Sequence, residues 1–120
     1  MSRQTLGAAG ERLARGYLER QGYTILAANY RCRWGEIDLV ASEGETMVFV
    51  EVRTLRDGAF GTPEESLGPR KALHLRRAAQ TYLRQHGDPA GEWRIDFVAV
   101  VLSAGGVLRD LRLLRGAVEE

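Results

Sequence analysis

The chain has 120 residues, 44% of them hydrophobic, which fits one compact domain around a single modest core. Seventeen basic residues against sixteen acidic give a formal charge of +1, which excludes a general polycation but still allows charge to be segregated on one face. The lone Cys32 excludes an internal disulfide and a Cys-based zinc cage, and no apolar run suits a bilayer span or a signal-peptide core, so the expectation is a cytoplasmic protein with no membrane partner.

Leu6, Leu13, Ala14, Tyr17 and Leu18 recur at helical spacing and predict a first helix over residues 5–21. Gly7, Gly10 and Gly16 each weaken it by about 1 kcal/mol relative to Ala, which points to close packing on a sheet. Gly22 ends the helix in the left-handed position that glycine favours. Glu11 falls beside the apolar stripe rather than opposite it. Residues 23–27 read as a first strand, followed by a polar link over 29–34. Arg31, Arg33 and Trp34 form a basic-aromatic patch that can grip a phosphate and stack on a base, or else cover the sheet and be solvated.

Residues 35–53 contain two β-branched apolar runs around a tight polar turn, the pattern of a hairpin. The turn is Glu43-Gly44 or Gly44-Glu45. Alternation along a strand puts Glu36, Asp38 and Val40 on one face of the first strand, and Met47, Phe49, Glu51 and Arg53 on one face of the second. Either turn then sets Asp38 and Glu51 on the same side, diagonally or directly opposite. Like charges across a strand pair destabilise a sheet and raise each other's proton affinity. Mg²⁺ (or Mn²⁺) suits such a place, since it takes hard oxygen ligands and completes its shell with water and phosphate.

Residues 55–68, rich in glycine and holding Pro63, predict a loop with a short turn at Glu64-Glu65-Ser66. Pro69 opens a second helix that runs to His86 and is closed by Gly87. Its buried stripe is Leu75, Ala79, Tyr82 and Leu83, and Arg70, His74, Arg77 and Arg84 form a basic face. Such a face, with Lys71, suits a DNA backbone; Arg31 and Arg33 join Arg70, Lys71 and Arg77 as candidate nucleic-acid contacts. His74 and His86 lack metal-binding spacing. Residues 93–102 form the most apolar run and predict a central strand, whose Asp96 is structural and has Arg94 on its own face. After the turn at 104–106, residues 107–114 predict an edge strand protected by its arginines, and the remaining residues through Glu120 a loose end.

Asp38, followed by Glu51-Val52-Arg53, resembles the D…(D/E)-x-K core of the restriction-endonuclease-like superfamily of metal-dependent nucleases. The closer resemblance is to the YraN family, small bacterial proteins classed with that superfamily. It is carried by Gly10-Glu11, Gly35-Glu36-Ile37-Asp38-Leu39, Val48-Phe49-Val50-Glu51-Val52-Arg53, Phe60-Gly61 and Asp96-Phe97-Val98, and spans residues 7–102. Archaeal Holliday-junction resolvases share the layout of a helix-borne Glu, an Asp and an E-x-K. The resemblance implies an α/β, restriction-endonuclease-like domain over residues 1–120, with its core at 5–114 and a central mixed sheet flanked by helices. It implies metal ligation by Asp38 and Glu51, Glu11 as an accessory acid, and a phosphodiesterase acting on DNA, branched or structured.

The motif lysine is replaced by Arg53, in a chain whose basic residues are all Arg except Lys71. Arginine can hold a phosphate but stays protonated, so it cannot share a lysine's proton handling. The alternative reading is therefore a catalytically silent nucleic-acid-binding module with the nuclease fold. A third is a partner subunit that docks through a sheet edge, and a homodimer is compatible with each.

Overall fold

Helix α1 (Arg3–Arg20) begins where the Ser2 hydroxyl accepts the Thr5 N–H at 3.1 Å. It ends at Gly22, whose φ of 95° turns the chain into β1 (Thr24–Cys32). Strands β2 (Gly35–Glu43) and β3 (Thr46–Arg56) form the hairpin, and its two-residue turn is Gly44-Glu45, with φ of 60° at Gly44. A 3₁₀ turn at Pro63–Ser66 precedes helix α2 (Pro69–His86), and β4 (Trp93–Leu102) and β5 (Leu108–Val118) complete the chain. The computed structural model describes residues 2–58, 62–88 and 90–118; the Phe60-Gly61 pair of the family motif and the end at Glu120 lie outside the described residues.

The strands join one sheet in chain order, β1-β2-β3-β4-β5. All neighbours are antiparallel except β3 and β4, whose parallel pairing needs the crossover that α2 supplies. One helix covers each face. On the α1 face Ala14 and Leu18 pack on Leu39, Ala41, Val48, Val50, Val98 and Val100. On the α2 face Leu75, Ala79, Tyr82 and Leu83 pack on Val40, Phe49 and Ile95. The α/β class, the mixed sheet and the interior place of β4 agree with the sequence reading. Gly10 has the predicted close approach: a methyl there would overlap the Thr54 hydroxyl on β3. Among the described residues no helix is long and apolar enough to cross a membrane.

Several boundaries differ from expectation. The polar link over 29–34 is mostly strand, because Tyr30 and Arg31 pair with Ile37 and Glu36 in the β1-β2 ladder. β3 continues to Arg56, held by its parallel pairing with β4 as far as Leu102. β5 extends to Val118 because the Gly116 N–H is tied to Asp96 at 2.9 Å.

The expected common face of Glu36, Asp38 and Val40 is also corrected. Leu39 and Ala41 face α1 and Val40 faces α2, as an unbroken pleat requires, yet Ile37 also faces α2. The side-chain alternation of β2 therefore reverses across Asp38. Its neighbour β1 reverses with it, since Ala27 and Tyr30 both lie on the α2 face. The residue that absorbs the change there is Asn29, with φ of 55°, a left-handed conformation that Asn tolerates better than most residues. The reversal delivers Glu36 to the α1 side and leaves Asp38 at the point of crossing.

A second polar centre forms around Asp96, which pairs with Val50 in the sheet. Asp96 is fully buried and accepts from Tyr23 Oη at 2.7 Å, Arg94 Nε at 3.0 Å and the Gly116 N–H at 2.9 Å. Arg94 also reaches Glu43 at 2.7 Å, and Arg115 meets the same carboxylate oxygen at 2.9 Å. The buried charge is thus paired and fully hydrogen-bonded, as burial demands. Asp96 is structural, and Arg94 is its partner.

Candidate functional site

The β2-β3 ladder ends at the pair Leu39 and Val50, and the next rung would set Asp38 opposite Glu51. Instead, the Asp38 carboxylate accepts the Val52 N–H at 2.7 Å. A side-chain oxygen so replaces a backbone acceptor, in the gap where the hairpin strands part. A charged acceptor makes this bond stronger than the ladder bond it replaces.

Two groups of acids converge on Asp38. On the α1 side, carboxylate oxygens of Glu11, Glu36 and Asp38 all lie within 4.8 Å of one another. On the other side stands Glu51, whose carboxylate meets Lys71 Nζ at 3.0 Å. Glu36 is in turn paired with Arg31 Nε at 3.1 Å. The electrostatics follow from this crowding. Burial pushes the Glu11 carboxyl above its ordinary range, and the charges of Asp38 and Glu36 push it the same way. Burial first, then the charge of Asp38 and a hydrogen bond with it, raise Glu51 to about 8 against the opposing pull of Lys71. At neutral pH Glu51 therefore holds a proton that an isolated carboxyl would have lost.

Arg53 is exposed and lines a cavity of 170 Å³ with Arg3, Glu11 and Val52. Glu11 also walls a second cavity, of 240 Å³, with Arg12, Arg15 and Asn29. Arg70, Lys71 and His74 line a third, of 430 Å³, at the start of α2. Arg33 and Arg77 are both stacked on Trp34, at 4.7 and 4.8 Å from its ring centre. The structure thus brings Glu11, Asp38, Glu51 and Lys71 together, and Arg31 reaches the same centre through Glu36. Arg33 and Arg77 meet on Trp34 instead. Glu36 is the residue that sequence reasoning did not assign to the site; its signal was the Gly35-Glu36-Ile37-Asp38 run, which sets an acid two residues from Asp38.

Fold and site define a class: a three-layer α/β protein whose central hairpin opens to gather four acids from α1, β2 and β3. Residues 10–100 match the family model described as Uncharacterised protein family UPF0102. The chain is 45% identical over 117 residues to a UPF0102 protein of Moorella thermoacetica, covering 98% of each. It is 45% identical over 115 residues to one of Beutenbergia cavernae, covering 96% of this chain and 97% of the other. A UPF0102 protein of Caldicellulosiruptor saccharolyticus is 38% identical over 117 residues, with 98% and 99% covered. The chain belongs to the UPF0102 family, the YraN family of the hairpin motif.

Proposed function

We propose that this chain is a divalent-metal-dependent phosphodiesterase of the restriction-endonuclease-like kind, acting on DNA. The observation that carries the proposal is the convergence of Glu11, Glu36 and Glu51 on Asp38 at the opening of the hairpin. The donor set is all hard oxygen, without sulfur or imidazole, which fits Mg²⁺ or Mn²⁺ rather than zinc or copper. Asp38 and Glu51 would hold the ion with the Val52 carbonyl, and Glu11 and Glu36 would serve its water shell. When bound, such an ion lowers the pKa of water and polarises a phosphoryl oxygen.

The chain's own residues supply the rest. The Val52 N–H fixes one Asp38 oxygen and so orients the carboxylate. Lys71 holds Glu51 in its place against the repulsion of Asp38. Arg53 stands exposed beside Glu11, where its guanidinium can meet the negative charge that develops on a phosphate. One observation favours the rival reading, a binding module that does not cleave: the cation two residues past Glu51 is Arg53, which cannot exchange a proton near neutral pH.

The deciding experiment is an Mg²⁺ and Mn²⁺ titration against single-stranded, duplex, flap and four-way DNA. Cleavage is expected from the parent and not from Asp38→Ala, with Arg53→Ala slower by roughly a hundredfold to a thousandfold. The metal should raise the melting temperature of the parent and leave that of Glu51→Ala unchanged. Metal binding and DNA binding without cleavage would select the module. A metal response that survives in both Asp38→Ala and Glu51→Ala would remove the site.

A further inference from the structure

The basic residues fall into two groups. Arg31 is paired with Glu36, Lys71 with Glu51, Arg94 and Arg115 with Glu43, and Arg109 with Asp57. Arg33 and Arg77 are stacked on Trp34. By contrast Arg3, Arg12, Arg15 and Arg53 have no ion pair, hydrogen bond or ring contact among the described residues. Arg20 and Arg70 are unpaired as well, but four of the six unpaired guanidiniums flank Glu11. Arg12 and Arg15 line the 240 Å³ cavity on one side of Glu11, and Arg3 and Arg53 line the 170 Å³ cavity on the other.

From this we infer that a single nucleic-acid strand runs along α1 across the acidic centre, with its phosphates held by Arg12 and Arg15 on one side of Glu11 and by Arg3 and Arg53 on the other. A guanidinium without a carboxylate partner, beside a cavity, is ready for an oxyanion, and its planar fork matches a phosphate in two-point contact. The span fits a polymer. At about 1.5 Å of rise per residue, Arg3 and Arg15 stand roughly 18 Å apart along the helix. That takes in several successive phosphates of a strand, which even in a duplex advance roughly 3.4 Å per nucleotide along the axis.

The acids between the two pairs explain why the ligand is a strand and not a small anion. A free phosphate entering either cavity meets Glu11 and the charges of Glu36 and Asp38 close behind it. A strand engages both pairs at once, and the second contact is then intramolecular. The path differs from the basic face of α2, where Arg77 already stacks on Trp34. The inference takes from the proposed function only the choice of the acidic centre as the place crossed, and it holds equally for a module that does not cleave.

The test is binding of end-labelled single-stranded and duplex DNA and RNA by the full chain in EDTA, so that cleavage is absent, over a range of salt. The double variants Arg12→Ala/Arg15→Ala and Arg3→Ala/Arg53→Ala should each reduce the log–log salt slope by about two and weaken binding at every sequence. Arg109→Ala, whose arginine is paired with Asp57, should leave the slope unchanged. Thermal melts, expected to match the parent because all four side chains are exposed, exclude misfolding as the cause. Unchanged slopes in both double variants, an equal loss in Arg109→Ala, or no binding by the parent would overturn the inference. Equal competition by polyglutamate would do the same, by showing a surface for any polyanion. No cleavage by the parent with metal, alongside reduced slopes in both double variants, would fault the nuclease reading and leave this one standing.

Discussion

Replacing Glu51 by Gln should stabilise the protein at mildly alkaline pH, and the size of the effect follows from the crowding around Asp38. In the folded chain Glu51 is raised from 4.5 to about 8 by burial and by the Asp38 charge, partly offset by Lys71. The folded state then binds more protons than the unfolded state between those two values. Stability contributed by this group is full below pH 4.5 and is lost as the pH rises through 8. At about 1.4 kcal/mol per pKa unit the ceiling is roughly 5 kcal/mol. Movement of Lys71 and sharing of the proton with Asp38 reduce the expected value to about 2–3 kcal/mol. Gln is close in shape to protonated Glu and can donate to Asp38 as that form does. The variant should therefore match the parent near pH 4 and exceed its melting temperature by roughly 8–12 °C near pH 8. Melting both proteins by circular dichroism across this range gives the difference directly. Parallel curves, with no gap opening as the pH rises, would refute the reasoning.

Two further outcomes test the frame of the fold. Asp96→Ala leaves Arg94 without its buried partner and should cost about 3–5 kcal/mol in urea unfolding, whereas Tyr23→Phe, which removes one hydroxyl from the same carboxylate, should cost about 1.5–3 kcal/mol. Gly10→Ala should destabilise by about 1–3 kcal/mol despite the better helix propensity of Ala, because the methyl meets Thr54, and adding Thr54→Ala should restore part of the loss; a stabilised single variant would show that α1 does not sit this close to β3.

Much of the fold was legible because its signals are local. Helical spacing marked both helices, Gly22 and Pro69 marked the end of one and the start of the other, and Gly44 marked the hairpin turn. The charge partners of Asp96 were half legible. Arg94 lies two residues away on the same strand, but Tyr23, Glu43 and the Gly116 N–H reach it from distant parts of the chain. The site failed at one point for a definite reason. Alternation assumes an unbroken pleat, and the pleat reverses at Asp38, so Glu36 turned toward α1 and Val40 toward α2. The clue was Asn29, read as part of a polar link, although an Asn amid strand residues is where a left-handed step is least costly. The proximity of Glu11 to Asp38 could not come from periodicity at all, since it depends on how closely Gly10 lets α1 approach Thr54.

The chain order of the strands has a consequence for the sequence of events in folding. Glu11, Glu36, Asp38 and Glu51 come from α1, β2 and β3, which are neighbours along the chain as well as in space. Lys71 belongs to the crossover, whose helix follows all three in the chain and packs on Ile95 of β4 as well as on β2 and β3. Pairings between segments so far apart carry a loop-closure cost that local hairpins avoid, and they form late. A nascent chain released as far as β3 therefore assembles its like charges before the lysine that tempers them has docked. The early intermediate is self-repelling in proportion to how far its carboxyls are ionised. Refolding should then slow as the pH rises, through the approach to the transition state rather than through the rate of leaving the native state.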